Sequence, residues 1–169
     1  VASRLYCATQ LRFALALRAL GVSQGDRVAL MLPNIPQAVI GYYGALKAGA
    51  IVVPTNPLYV EREIQTQVID SGCEVIVALD LFYPRIRAVQ ERTTLPRRII
   101  ITSFRDFLPA VKRLLYPVRA WLENRWVSVQ KNPPVYDFLE LLNTAPRNAE
   151  SRSSHLPHVQ PGDLAQLQY

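Results

Sequence analysis

The chain has 169 residues, a formal charge of +6 and a hydrophobic share of 50%. That length suits one ordinary domain rather than two, and the apolar share excludes disorder along the whole chain. The sequence has no unbroken apolar run long enough for a membrane-spanning helix, and the segment opening with Val1 lacks a charged-then-apolar leader layout, which points to a cytoplasmic setting.

Apolar residues at helical spacing (Leu5, Ala8, Leu11, Leu15, then Leu17 and Leu20) predict a helix over Ser3 to Leu20, with Gly21 as its C-terminal stop. After a Gly25-Asp26 turn, Arg27 to Leu32 reads as a strand, and its lack of alternation implies cover on both faces. Pro33 ends that strand. Asn34 is the expected cap of a helix that carries Pro36 in its first turn, continues to Ala48 and stops at Gly49. Ile51 to Pro54 is a second buried strand, and Thr55 to Leu58 is a loop. A helix is expected from Val60 to Asp70, closed by Ser71-Gly72. Glu74 to Leu79 reads as a third strand, Phe82 to Glu91 as a helix and Arg98 to Thr102 as a fourth strand.

Strand and helix alternate strictly through residues 1–103, with short connections. The arrangement that satisfies this is an α/β subdomain, a parallel sheet with helices on both faces. The pattern breaks after Ser103. Residues 104–134 form a basic amphipathic insert. Residues 135–160 read as a short helix, Val135 to Leu142 with Asp137 as its candidate cap, followed by a loop rich in Ser, Pro and Asn. Residues 161–169 close the sequence with strand-like alternation in Asp163 to Tyr169.

Motifs that would carry chemistry are scarce. No G-x-G-x-x-G follows a strand and no G-x-x-x-x-G-K-S/T occurs, so no phosphate cradle can be assigned. His155 and His158 are three apart, but no cysteine or carboxylate set accompanies them, and a solvated loop is the favoured reading. Glu61, Glu63 and Asp70 read as the polar face of a helix rather than paired acid–base carboxylates. Tyr42-Tyr43 reads as packing. Ser151, Ser153 and Ser154 have no identifiable base. Cys7 and Cys73, far apart and without a metal-ligand spacing, read as free buried thiols rather than a disulfide pair. Composition and spacing alone yield an α/β domain with a basic insert, and no reaction.

The motifs nevertheless resemble a known family. Gly21-Val22-Ser23-Gln24-Gly25-Asp26-Arg27-Val28-Ala29, followed by Leu32-Pro33-Asn34-Ile35-Pro36-Gln37, resembles the N-terminal part of adenylate-forming enzymes: acyl-CoA synthetases, luciferases and peptide-synthetase adenylation domains. The stretch from Gly44 to Tyr59 resembles that family's Leu-Lys-Ala-Gly-Ala-x-x-x-Pro motif. Glu63 with Asp70-Ser71-Gly72 matches its E…DSG spacing, and Gly162 to Tyr169 resembles the strand entering its phosphate-binding loop. Within the family, the Leu-Gln-Tyr ending and the insert most resemble long-chain fatty acid–CoA ligases. The resemblance covers residues 3–103 and 161–169. It implies a parent enzyme that uses ATP, CoA and Mg²⁺ to convert a fatty acid to its thioester through an acyl-adenylate. The family's phosphate loop, Tyr-Gly-x-Thr-Glu motif, ribose-binding Asp and adenylation lysine would all follow Tyr169. The chain is therefore expected to be an N-terminal piece, inactive alone, with no catalytic, cofactor or metal residue of its own. Two other readings stand beside it: a non-catalytic remnant that binds a membrane or protein partner, and a piece of an adenylating enzyme for aryl or amino acids.

The insert concentrates the charge. Between Arg92 and Lys131 nine basic residues face only Asp106 and Glu123, leaving a net −1 elsewhere. An ideal helix would align Phe107, Val111, Leu114, Val118, Trp121 and Trp126 along one broad stripe, with Lys112, Arg113 and Arg119 outside it. Trp121, Trp126, Arg113 and Arg119 are thus the candidate contacts to an anionic membrane surface. The competing reading packs the stripe on the domain, and Pro117 interrupts any single helix. No nucleic-acid motif accompanies the charge.

Overall fold

The computed structural model describes residues 2–107, 129–130, 132–146 and 156–169, with Ala2 to Leu5 described by their backbone alone. In chain order the elements are α1 (Ala2–Ala19), β1 (Arg27–Met31), α2 (Pro36–Lys47), β2 (Ile51–Pro54), α3 (Glu61–Ser71), β3 (Val75–Leu79), α4 (Tyr83–Arg92), β4 (Arg98–Thr102), β5 (Val135–Asp137) and α5 (Phe138–Thr144). Short 3-10 turns, Asp80–Phe82 and Phe104–Phe107, follow β3 and β4.

All five strands are parallel, in the order β2-β1-β3-β4-β5. Because successive side chains in a strand point to opposite faces, the unbroken apolar runs feed two cores at once. Val28, Leu30, Val52, Val75, Val77 and Ile100 face a core shared with Phe13, Leu17, Ile40 and Phe138 of α1, α2 and α5. Ala29, Met31, Val53, Ile76, Ala78, Ile99 and Ile101 face the opposite core, with Ile64, Val68, Ile86 and Val89 of α3 and α4. This explains why β1 to β4 show no polar alternation: neither face meets water.

Helix ends follow the glycines. At Gly49, φ is +82° and the N–H of Gly49 and of Ala50 bond back to the carbonyls of Leu46 and Ala45, a paired closure that needs a left-handed residue. A Cβ at Gly49 would lie 2.6 Å from Pro157 Cγ, so the small residue also lets the C-terminal segment approach.

Three expectations change. Asn34 does not cap α2; Ile35 occupies that position without a side-chain bond, and Pro36 starts the helix. Val135 to Asp137 is a strand rather than the start of a helix, and only from Phe138 does the chain turn helical. Asp137 is its cap, accepting the Glu140 N–H at 2.8 Å. Asp163 to Tyr169 forms no regular strand but one parallel bridge, Gln166 to Val52, on the outer edge of β2. The insert from 108 to 128 lies outside the described residues.

Candidate functional site

In an open parallel sheet, ligands sit beyond the carboxyl ends of the strands where the winding reverses. Here β2 lies on one side of β1 and β3 to β5 on the other, which places the reversal between β1 and β3. Next to it, at the carboxyl ends of β3 and β4, polar groups from several elements meet. Gln37, in the first turn of α2 and fully enclosed, donates through Nε2 to Thr102 Oγ1 at 3.3 Å and to the Ser103 carbonyl at 3.0 Å. Thr102 Oγ1 donates in turn to Asp106 Oδ2 at 2.8 Å, and the Ser103 N–H donates to the same oxygen at 2.7 Å. Asp106 so folds the Phe104–Phe107 turn back onto the end of β4.

Asp80, the first residue after β3, completes the group. Leu79 pairs in register with Thr102, so Asp80 and Ser103 are the next neighbours across the strand pair. Burial raises the Asp80 carboxyl above its ordinary range. The Ser103 hydroxyl and the Leu81 N–H oppose that shift, Asp106 adds to it, and Arg105 opposes it. Ser103 Oγ is enclosed and makes no hydrogen bond of full geometry.

A second polar region lies at the end of β2. Gln67 Nε2 donates to the Pro54 carbonyl at 3.0 Å, and Arg85 Nη1 donates to the Tyr59 carbonyl at 3.0 Å while its guanidinium stands over the Phe82 ring. These bonds hold the loop containing Pro54 and Pro57. Beside it, Tyr59, Arg62, Thr66, Gln67 and Tyr169 line an open groove of about 530 Å³. Tyr169 Oη donates to Asp70 Oδ2 at 2.5 Å.

The carboxylates of α3 have separate structural duties. Glu63 accepts the Val60 N–H at 2.9 Å, Glu61 pairs with Arg92 at 2.9 Å, and Asp70 holds Tyr169. They form a polar face with no paired acid–base geometry. Tyr42 and Tyr43 meet edge to face, and Tyr42 Oη bonds Gln166 at 3.1 Å. Cys73 is buried as expected, and desolvation pushes its thiol up, against the Ser71 hydroxyl and Arg27; Cys7, expected to be buried too, is exposed, because it lies near the start of α1 away from the core. His158 is exposed, whereas Trp121, Trp126, Arg113, Arg119, His155, Ser151, Ser153 and Ser154 lie outside the described residues. Among the described residues no three His, Cys, Asp or Glu side chains gather where they could hold a metal ion. Sequence reading missed Gln37, Asp80, Thr102, Ser103 and Asp106. The available signal was positional: polar residues directly after the apolar runs Val75–Leu79 and Arg98–Thr102 sit where an α/β sheet presents its ligand edge.

The family model described as "AMP-binding enzyme" matches residues 8–169. The chain belongs to the AMP-binding enzyme family. It is 39% identical to a long-chain fatty acid–CoA ligase of Bacillus subtilis over 161 residues, which are 94% of this chain and 28% of that protein. It is 36% identical over 150 residues to the corresponding ligase of Escherichia coli O157:H7, covering 89% of this chain and 26% of the relative. The chain thus spans about a quarter of these relatives and is like the N-terminal segment of such a ligase. Solved structures share the fold. An anthranilate CoA ligase in complex with anthranoyl-AMP superposes with a TM-score of 0.72 at 19% identity, covering 98% of this chain and 26% of that one. A long-chain fatty acid–CoA ligase from Archaeoglobus fulgidus gives 0.67 at 18% identity, covering 97% and 26%. AMP-binding ligases use ATP and CoA.

Proposed function

We propose that these residues serve in a long-chain fatty acid–CoA ligase as the rigid sheet that supports the acyl-adenylating site. Sequence identity of 39% sustained over 161 residues with a ligase of that substrate class carries the reading. In such a ligase the fatty acid carboxylate attacks the α-phosphorus of ATP and pyrophosphate leaves. The CoA thiol then displaces AMP, giving the thioester. Mg²⁺ supplies neutralisation of phosphate charge. The part these residues play is positional: two enclosed cores fix the strand ends, and Gln37 ties α2 to β4 across β3. On their own the 169 residues complete neither step.

A chimera tests this. The residues replace the matching segment of the B. subtilis relative, and acid-dependent ATP–pyrophosphate exchange is measured with palmitate and with benzoate. Exchange with palmitate and none with benzoate is the expected result, while the 169-residue chain alone gives none. A folded chimera that exchanges only with benzoate, or an active isolated chain, overturns the reading.

The basic insert supports a second role, contact with an anionic bilayer from which a long-chain acid could be drawn. Its sequence carries two tryptophans among six lysines and arginines from Arg105 to Arg125 and Lys131. Replacing Trp121 and Trp126 with Ser should release the chain from phosphatidylglycerol vesicles in a sedimentation assay. Unchanged co-sedimentation of the double variant overturns this role.

A further inference from the structure

The outer side of α3 carries apolar side chains that the fold leaves exposed. The buried stripe of the helix is Ile64, Gln67, Val68 and Ser71, whereas Ile69 stands outside it and is 53% exposed. At the head of the helix Leu58 is 82% and Val60 59% exposed, and Tyr169 is 50% exposed. Two open depressions run along this side and share Arg62 and Thr66. One is the groove of about 530 Å³ walled by Tyr59, Val60 and Tyr169, and the other, of about 600 Å³, is walled by Gln65, Ile69 and Asp70. We propose that this face is a docking surface, and that its occupant is the polypeptide that follows these residues in a long-chain fatty acid–CoA ligase. The inference rests on the ligase reading above.

The surface is held ready rather than frayed. The Leu58 N–H donates to Asn56 Oδ1 at 3.0 Å, Arg85 Nη1 donates to the Tyr59 carbonyl at 3.0 Å, and the Val60 N–H donates to Glu63 Oε2 at 2.9 Å. A patch fixed in this way loses little conformational freedom when it is covered. Its hydroxyls are already satisfied, since Thr66 Oγ1 donates to the Arg62 carbonyl at 2.9 Å and Tyr169 Oη donates to Asp70 Oδ2, so covering them leaves neither without a partner. Exposed Leu, Val, Ile and Tyr grouped around an arginine suit a protein contact. Charge argues against an anionic bilayer, because Arg62 stands with Glu63 and Asp70 for a net −1 along the two depressions. Position and length favour the same polypeptide. Tyr169 walls the groove, and the matched residues make up only 28% of the B. subtilis ligase, which they resemble in its N-terminal segment. The rest of such a ligase, tethered at Tyr169, meets the groove at high effective concentration.

Thiol labelling reads the surface directly. In a Cys7→Ser background the remaining Cys73 is buried, and Thr66 is exposed. Thr66→Cys in the isolated chain should therefore react with a maleimide at close to the rate of the urea-unfolded protein. In the folded chimera with the B. subtilis ligase the same thiol should react about a hundredfold more slowly. A second variant needs no label: Ile69→Arg should leave the melting temperature of the isolated chain unchanged and lower that of the chimera. Equal labelling in the chain and the folded chimera overturns the docking surface, as does an Ile69→Arg chimera that melts with the unsubstituted one. Protection already present in the isolated chain, from a second copy or from residues 108–128, overturns the assigned occupant. These readouts use no substrate. A chimera that protects Thr66→Cys yet exchanges only with benzoate overturns the fatty acid reading and leaves the docking surface standing.

Discussion

At the residue scale, one guanidinium shows how the sequence enforces a turn. Arg27, the first residue of β1, donates through Nε to the Ser71 carbonyl and through Nη2 to the Gly72 carbonyl, each at 2.8 Å. Gly72 sits at φ +63°, and a Cβ there would lie 2.6 Å from Arg27 Nη2. The clamp therefore needs glycine twice, for the left-handed backbone and for the space. Gly72→Ala should cost about 2–4 kcal/mol, combining the penalty of a Cβ in that conformation with loss of the clamp's bonds. Gly72→Asn separates the two causes, because Asn tolerates the left-handed region yet carries the same Cβ. Urea unfolding should show the Asn variant recovering only part of the loss. Full recovery would mean that the Arg27 clamp adds nothing.

At the element scale, the parallel sheet was legible because burial on both faces leaves a mark in the sequence. Val75 to Leu79 and Arg98 to Thr102 have almost no polar residue, and each run ends in the strand it announces. What escaped has physical reasons. β5 is three residues long and follows two prolines, too short for any period to show, and its strand character comes from pairing with Ile99 to Ile101. The Asn34 cap failed because Ile35 already supplies the extended backbone and Pro36 lacks the N–H that an N-terminal helical residue leaves unpaired. The candidate site escaped for another reason: Gln37 and Ser103 are 66 residues apart in sequence, and no local spacing announces a bond between them. Family motifs placed the chain among the AMP-binding enzymes. Of their residues, Glu63 has a visible structural duty, capping α3 by accepting the Val60 N–H.

At the scale of the whole molecule, the last described segment keeps the sheet from ending in an open edge. Val52 donates to the Ala165 carbonyl and accepts from the Leu167 N–H, both at 2.9 Å, so β2 is paired at its centre. Leu156 packs on the core beneath α1 and α2, while Leu167 packs on the opposite core. The segment therefore straps the outer edge and reaches both faces of the sheet. Unpaired N–H and C=O groups along a parallel edge are a template for association with another chain. Removing residues 156–169 should convert a monomer into concentration-dependent oligomers by sedimentation velocity. Leu167→Pro is the milder variant: it deletes one donor to Val52 while leaving the chain whole, and proline cannot pair at that position. It should associate less than the truncation and more than the unsubstituted chain. A truncated chain that remains monomeric with an unchanged melting temperature would show that β2 is guarded by its own shortness, four residues, rather than by the strap.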